Sequence, residues 1–431
     1  MDKIKNNNWL SIILNTEFQD VTQFKTLVEV SMVSKLAREM LKPIVFERVN
    51  VHYANIKLES SIFSKANDKR IKNIEYDYHA LREENYRAIE DSIDYLDLTF
   101  INIKKFSKSF KLLRMYNSGY FLFPIICSFE NLTSLTIMYC NIPFTAFSII
   151  GKQLLNLNNL HMLNVNLVKS STDIIASSDI SLPPNLTRLI INSNQVVTID
   201  LLLDHYEYLF DKNSYNHSYE KNSNINIDLG VEEFLNSNPQ LETLDVSTYN
   251  LKMNSNLNSI KFLRVDDKIC FDSIKNVSNL NSISTLIFNM HSIENTENFR
   301  KFCMLCNNLT ELRLSYQRFN NCQVFINEFL IPALPTLFKL KTLQIDGIHN
   351  IRLPKTFNFA KFNQIEQLVL SGSGPVSKIK FDKCKKLKRV KFTLIYYKVD
   401  EDNSSVKTME KFYYRGWNFK YEGNTIFGNK T

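Results

Sequence analysis

Apolar residues recur along most of this chain as a short phrase: one apolar position, two variable ones, a second apolar position, one variable, and a third apolar position. The phrase stands at Leu132, Leu135, Ile137; Leu160, Leu163, Val165; Leu186, Leu189, Ile191; and Leu241, Leu244, Val246. It continues at Ile260, Leu263, Val265; Ile283, Leu286, Phe288; Leu309, Leu312, Leu314; Leu340, Leu343, Ile345; Ile365, Leu368, Leu370; and Leu387, Val390, Phe392. Weaker copies stand at Ile71, Ile74, Tyr76; Ile93, Leu96, Leu98; and Phe110, Leu113, Met115. Apolar second and third positions flanking a variable one are what a strand with one buried face requires. Three loosely apolar positions match often by accident in a chain this apolar, so the spacing carries the weight. The middle positions from Leu244 to Val390 are 19, 23, 26, 31, 25 and 22 residues apart.

Those intervals centre on the ~20 to 29 residues of a leucine-rich repeat. Between the phrases, Val231 to Leu235 and Phe299 to Leu305 place apolar residues at helical spacing, each followed by an Asn-rich turn. One such repeat cannot bury its own apolar face, so neighbours must stack into a continuous core. The predicted fold class is therefore α/β: a curved leucine-rich-repeat solenoid with a parallel inner sheet. It would comprise about 12 to 13 irregular repeats over residues 52–431. The polar tract 211–224, DKNSYNHSYEKNSN, lies in a two-period gap and reads as a surface loop. The variable residues beside the buried positions would face a concave wall. Candidates for target binding there are Asp245, Arg264, Asp266, Asn289, Glu311, Arg313, Gln344 and Asp346. Their mixture of signs suits a folded protein or peptide better than a nucleic acid, which selects uniformly basic surfaces.

Residues 1–51 follow another rule. Leu10, Ile13, Leu14 and Phe18 form one helical face, and Phe24, Leu27, Val28 and Val30 a second. Val33, Leu36, Ala37, Met40 and Leu41 form a third that stops at Pro43. Read from the residues alone, three short helices could simply cap the first repeat. The stretch also resembles a degenerate F-box, through Ile13-Leu14 to Phe18, Leu27-Val28-Glu29-Val30, Val33-Ser34-Lys35, Arg38-Glu39, Leu41, Pro43 and Phe46-Glu47-Arg48-Val49. Taken with the repeats, the chain resembles fungal F-box and leucine-rich-repeat proteins of the ribonuclease-inhibitor-like superfamily. That resemblance implies a non-enzymatic target-recognition subunit of a cullin-RING ubiquitin ligase. Leu10, Ile13, Leu14, Phe18, Leu27, Val28, Val33 and Pro43 would dock a Skp-type adaptor, and the repeats would hold a target protein. The rival reading is an interaction scaffold whose N-terminal helices are only a cap.

Composition narrows the alternatives. The 431 residues are 44% apolar and 22% charged, which gives ample core and argues against disorder over most of the length. No apolar run approaches the ~18 to 20 residues of a membrane span, and Trp9 to Leu14 is too short for a signal peptide, so the expected compartment is cytoplasm or nucleus. Seven scattered cysteines make a poor disulfide framework, which fits a reducing environment. Only 9 glycines and 10 prolines are present, with no GxGxxG or GxxxxGK[ST] to cradle phosphate. Roughly one residue in nine is Asn, a bias we give little functional weight.

Catalytic and metal signals are thin. Cys303-Met-Leu-Cys306 is a CxxC without a second half, on a segment of helical pattern, and reads as structural. The seven histidines show no metal spacing, and Leu370-Ser-Gly-Ser-Gly374 lacks the frame of a nucleophile elbow. Paired carboxylates such as Asp266-Asp267 stand in no pattern that singles them out for acid–base work. The expectation is no enzyme and no cofactor. The net charge is +8, with a dense run at Lys378, Lys380, Lys383, Lys385, Lys386, Lys388, Arg389 and Lys391. Such a run could meet an acidic partner or phosphates, or could keep an unpaired end of the sheet soluble.

Overall fold

The computed structural model describes residues 24–33, 35–53, 78–175, 179–199, 234–236, 238–246, 257–266, 280–290, 296–316, 330, 332, 337–348, 357–358, 363–372, 379–381, 384–394 and 416–431. The protein is α/β, and fifteen of the described strands belong to largely parallel sheet. The chain divides into two compact units. One comprises residues 1–189 with 193–230, the other residues 190–192 with 231–431.

In the first unit, helices α1 (Phe24–Val33) and α2 (Lys35–Val45) lead into β1 (Arg48–His52). Helix α3 (Tyr78–Ile101), β2 (Ser109–Leu113), α4 (Gly119–Ile126), β3 (Ser134–Pro143), α5 (Phe144–Ser148), α6 (Ile150–Gln153) and β4 (Asn159–Ser170) follow. Strand β5 (Arg188–Asn192) contributes its first residues here, and β6 (Gln195–Ile199) completes the unit. β1, β2, β3 and β4 pair in that order, all parallel. The register stacks Phe110 on Leu135 on Leu160, and Leu112 on Ile137 on Met162. All six side chains are fully buried. Phe100, Phe110 and Phe129 meet edge to face at 5.4 to 5.8 Å between ring centres, which closes the core under α3.

Three expected phrases are corrected here, and Ile71, Ile74, Tyr76 lie outside the described residues. Ile93, Leu96 and Leu98 belong to α3, where their spacing serves a helix. The buried pair in β2 is Phe110 and Leu112, with Leu113 half-buried; in β4 the phrase is Leu157, Leu160, Met162, with Leu163 half-buried. The cause is a bend. Arg114, Tyr139, Asn164 and Ser193 each take a left-handed backbone, φ between 51° and 58°, two residues after the third buried position. Beyond the bend β3 and β4 run on as a second ladder, Cys140 on Val165 and Ile142 on Leu167, joined by β6. A period-two phrase fits either side of that bend, and the sequence reading took the wrong side in β4. The second ladder also aligns amides: Gln195 Nε2 donates to Asn166 Oδ1 at 2.8 Å, and Asn166 Nδ2 to Asn141 Oδ1 at 2.7 Å.

The expected helix stop at Pro43 is likewise corrected, since α2 runs through it to Val45. In the last turn the missing N–H costs a single bond, and Phe46 N still donates to Lys42 O at 3.0 Å.

In the second unit the strands are β7 (Thr243–Asp245), β8 (Phe262–Asp266), β9 (Thr285–Met290), β10 (Glu311–Tyr316), β11 (Thr342–Ile348), β13 (Gln367–Gly372) and β15 (Arg389–Leu394), paired in that order and all parallel. Helix α7 (Thr296–Leu305) precedes β10, and β12 (Phe357–Asn358) pairs separately with β14 (Ile379–Lys380). The register runs Leu244, Leu263, Leu286, Leu312, Leu343, Leu368, Val390 straight across the sheet. Every one is 2% exposed or less. Here the phrase read from sequence and the observed register coincide at every strand.

Most phrases are entered through the same turn. Leu309 N donates to Cys306 O, Ile260 N to Leu257 O, Leu340 N to Leu337 O and Leu132 N to Phe129 O. The acceptor residues are themselves buried, which adds a fourth apolar column three residues ahead of the phrase. One carbonyl then accepts two successive N–H groups of the next strand. Lys261 and Phe262 donate to Glu242 O, Ser284 and Thr285 to Lys261 O, and so on to Lys388 and Arg389 on Glu366 O. Asparagines brace the turns: the amides of Asn131, Asn156, Asn185 and Asn308 donate to main-chain carbonyls of the preceding turn.

The C-terminal residues depart from the expected repeats. β15 is followed by an antiparallel pair, β17 (Thr425–Lys430) against β15 and β16 (Trp417–Glu422) against β17. Gly423, at φ +60°, forms the tight hairpin turn. Gly428 lets the hairpin close on the core, since a Cβ there would lie 2.6 Å from a Val390 methyl. Two outcomes follow in urea denaturation. Leu263→Ala lowers stability by about 2 to 5 kcal/mol through lost burial and the cavity left behind. Gly428→Val lowers it by about 1 to 3 kcal/mol through overpacking; an unchanged midpoint for both would contradict the packing described.

Candidate functional site

The strand residues that alternate with the buried ones all lie on the opposite face of the sheet. In the second unit, Asp245, Arg264, Ile287, Arg313, Gln344, Val369 and Lys391 form one column across neighbouring strands. Asp266, Asn289, Ser315 and Asp346 form the next. Glu311 lies in the column on the other side, between Thr285 and Thr342. The eight wall residues singled out from sequence therefore share one face and three adjacent columns.

Their exposures differ. Asp245 and Asp266 are 5% and 4% exposed, and Asn289, Glu311, Arg313, Gln344 and Asp346 are half-buried. Asp245 accepts a bond from Asn192 Nδ2 at 2.9 Å and faces the Arg264 guanidinium at 3.6 Å. Arg264 Nε is buried and has no hydrogen-bond partner. Arg313 Nε donates to Glu311 at 2.6 Å, and Gln344 and Ser371 both donate to Asp346 at 2.6 Å. Charges on this face are thus held in fixed orientations by neighbours on the same or adjacent strands.

The N-terminal helices split their apolar residues. Leu27, Ala37 and Leu41 are buried, at 3%, 4% and 0% exposure, whereas Met32, Val33 and Leu36 are 70%, 82% and 54% exposed. Val28 is half-buried and Pro43 exposed. Leu10, Ile13, Leu14 and Phe18 lie outside the described residues. The exposed trio lies at the end of α1 (Met32, Val33) and the start of α2 (Leu36), so large apolar side chains are left to solvent close together in sequence.

Cys303 lies in α7 and Cys306 directly after it; both are fully buried free thiols, Cys306 serving as the turn acceptor ahead of Leu309. Burial pushes both thiols well above their usual range, and Cys127 to about 12. Among the described residues no group of three or more His, Cys, Asp or Glu could hold a metal ion, and no helix is long and apolar enough to cross a membrane. No protein-family model matches the chain, and no curated protein is similar to it.

Sequence reasoning missed the fourth buried column and the bracing role of the asparagines that precede several phrases. The first was visible as Leu257, Leu280, Cys306, Leu337 and Cys384, each three residues ahead of a phrase; the second as Asn immediately ahead of it at Asn131, Asn156, Asn185 and Asn308.

Two measurements check this chemistry. Cys303 and Cys306 stay unreactive toward a water-soluble disulfide reagent in mildly alkaline buffer and react once denaturant is added, because little thiolate forms and none is reachable; rapid native reaction would contradict their burial. Asp245→Ala removes the acceptor of the Asn192 amide bond and the buried charge facing the Arg264 guanidinium, and costs about 1 to 3 kcal/mol in urea unfolding. Glu311→Ala, at a partly solvated pair, costs less than about 1 kcal/mol.

Proposed function

We propose that this protein is a non-enzymatic recognition subunit: its N-terminal helices dock a Skp-type adaptor of a cullin-RING ubiquitin ligase, and its leucine-rich repeats hold a target protein. The observation that carries the reading is the split burial of α1 and α2. A pure cap would turn its apolar residues onto the first repeat, but Met32, Val33 and Leu36 are left to solvent beside the F-box-like sequence Val33-Ser34-Lys35. The buried set of Leu27, Ala37 and Leu41 would anchor the module while the exposed set meets the adaptor. Burying three such side chains at an interface is worth about 1.5 to 3 kcal/mol each before association costs.

Support for the repeat half comes from the in-register phrase and from the turn shared by most strands. Stacked repeats of this kind curve into a solenoid and present one column per strand on the inner wall. On that wall Arg264, Asn289, Glu311, Arg313, Gln344 and Asp346 would be the accessible contacts for a target, with the buried Asp245 holding the Arg264 guanidinium and Asp266 buried beside them. The protein would do no chemistry itself. It would raise the effective concentration of target near the ligase and fix its orientation.

The test is a pull-down of a Skp-type adaptor with the full chain and with a Val33→Asp, Leu36→Asp variant, whose positions are exposed and whose melting should be unchanged. The expected outcome is adaptor capture by the wild type and its loss in the variant. A folded wild type that captures no adaptor would leave the helices as a cap and the protein as a repeat scaffold.

A further inference from the structure

The edge where the strands of the second unit begin carries a charge pattern that neither the wall nor the N-terminal helices use. The residue whose carbonyl accepts the two N–H groups of the next strand sits at this edge in each repeat. In the earlier copies that position is balanced: Glu242 pairs with Lys261, and Ser284 and Thr310 follow. In the later ones it holds Lys341, Glu366 and Lys388, with Lys430 bonded next to Lys388 on the antiparallel β17. The adjoining turns add Lys339, Lys385 and Lys386, all exposed.

Among the described residues Glu366 is the one carboxylate in this row. It accepts a bond from Lys388 Nζ at 2.8 Å. That bond, with the charges of Lys388, Lys341 and Lys386, holds its carboxyl below the usual range. Among the described residues, six lysines therefore share one anion. The remaining polar contacts here are Lys339 Nζ donating to Asn308 Oδ1 at 2.6 Å and Lys430 Nζ to the Lys385 carbonyl at 3.4 Å, and neither removes charge. Protection of an unpaired sheet end does not account for the lysines, because β15 is hydrogen-bonded on both sides, by β13 and by β17. The strand left with an open edge beyond β17 is β16, which the row does not occupy.

We propose that this lysine row, from the start of β11 to the end of β17, is a docking surface for an acidic segment of a partner protein. Neighbouring strands stand ~4.8 Å apart, so the row spans about 14 Å, the length of about four residues of extended peptide. A nucleic-acid duplex engages a longer track of about 6 to 10 phosphates. A single strand needs successive aromatic platforms, whereas the exposed aromatic ring described at this edge is Phe338, with the Lys339 ammonium 5.7 Å from its centre. Mobile ammonium groups at strand spacing suit closely spaced carboxylates, and Phe338 adds an apolar flank. The surface lies wholly on the second unit and goes beyond the adaptor reading, whose failure would leave it standing.

The test is fluorescence anisotropy with a labelled decaglutamate peptide, using the full chain at low and physiological salt. The comparison variants are Lys341→Gln, Lys386→Gln, Lys388→Gln combined, and a charge-matched control in the first unit, Lys105→Gln, Lys111→Gln, Lys152→Gln. The expected result is salt-sensitive binding by the wild type, weakened about tenfold by the edge variant and retained by the control. Absence of binding at low salt would overturn the proposal. So would equal loss in both variants, which would reduce the effect to net charge, or tighter binding of a single-stranded oligonucleotide of matched charge, which would make the row a phosphate-backbone surface.

Discussion

The parallel ladders of the large sheet depend on one arrangement: a main-chain carbonyl at the start of one strand accepts two successive N–H groups from the next. The bond pair fixes where each strand starts relative to its neighbour, and a parallel strand that starts in place presents its buried residues in line with the next. Leu244 through Val390 fall into one column for that reason, with no further device needed to set register. Slippage by one residue would turn each leucine column to solvent, so the carbonyl relay and the hydrophobic phrase enforce the same answer.

The phrase was legible where strands are short and simple. From β7 to β15 in the second unit, sequence positions and observed register agree because each strand holds one buried stretch. The reading failed where a second physical demand used the same residues. Leu163 and Val165 belong to a strand that bends at Asn164 and continues into a further ladder, so alternation held on both sides and could not show which side pairs with Leu135. Ile93, Leu96 and Leu98 satisfy the phrase and a helix face equally well, and only the 24-residue length of α3 separates them. The overall asparagine count carries little weight, but a fixed place one residue ahead of the phrase is a signal of bracing, since an amide there reaches the carbonyl of the preceding turn.

The candidate sites were less legible than the fold, for a reason of burial. Sequence alternation places Asp245, Arg264 and Arg313 on the same face, but it cannot say that Asp245 is enclosed by Asn192 and Arg264 while Arg313 remains half-open. The N-terminal residues show the same limit. Helical spacing groups Val33 with Leu36, Ala37 and Leu41, and only the packing of α1 against α2 reveals that two of the four are buried and two project. A site of this kind is defined by which members of a hydrophobic set are left over once the core is satisfied.

The antiparallel hairpin after β15 gives the second unit a direction. Each parallel strand up to β15 ends in an edge that accepts another copy of itself, so duplicating or deleting a repeat leaves the bonding pattern intact. β17 runs the other way, and its free edge is taken by β16. A further parallel repeat cannot pair on β15 itself, whose second edge is taken by the antiparallel β17. Any change in repeat number that keeps β15 paired with β17 therefore falls among the strands ahead of the hairpin, so the length of the array and the make-up of its polar face change together.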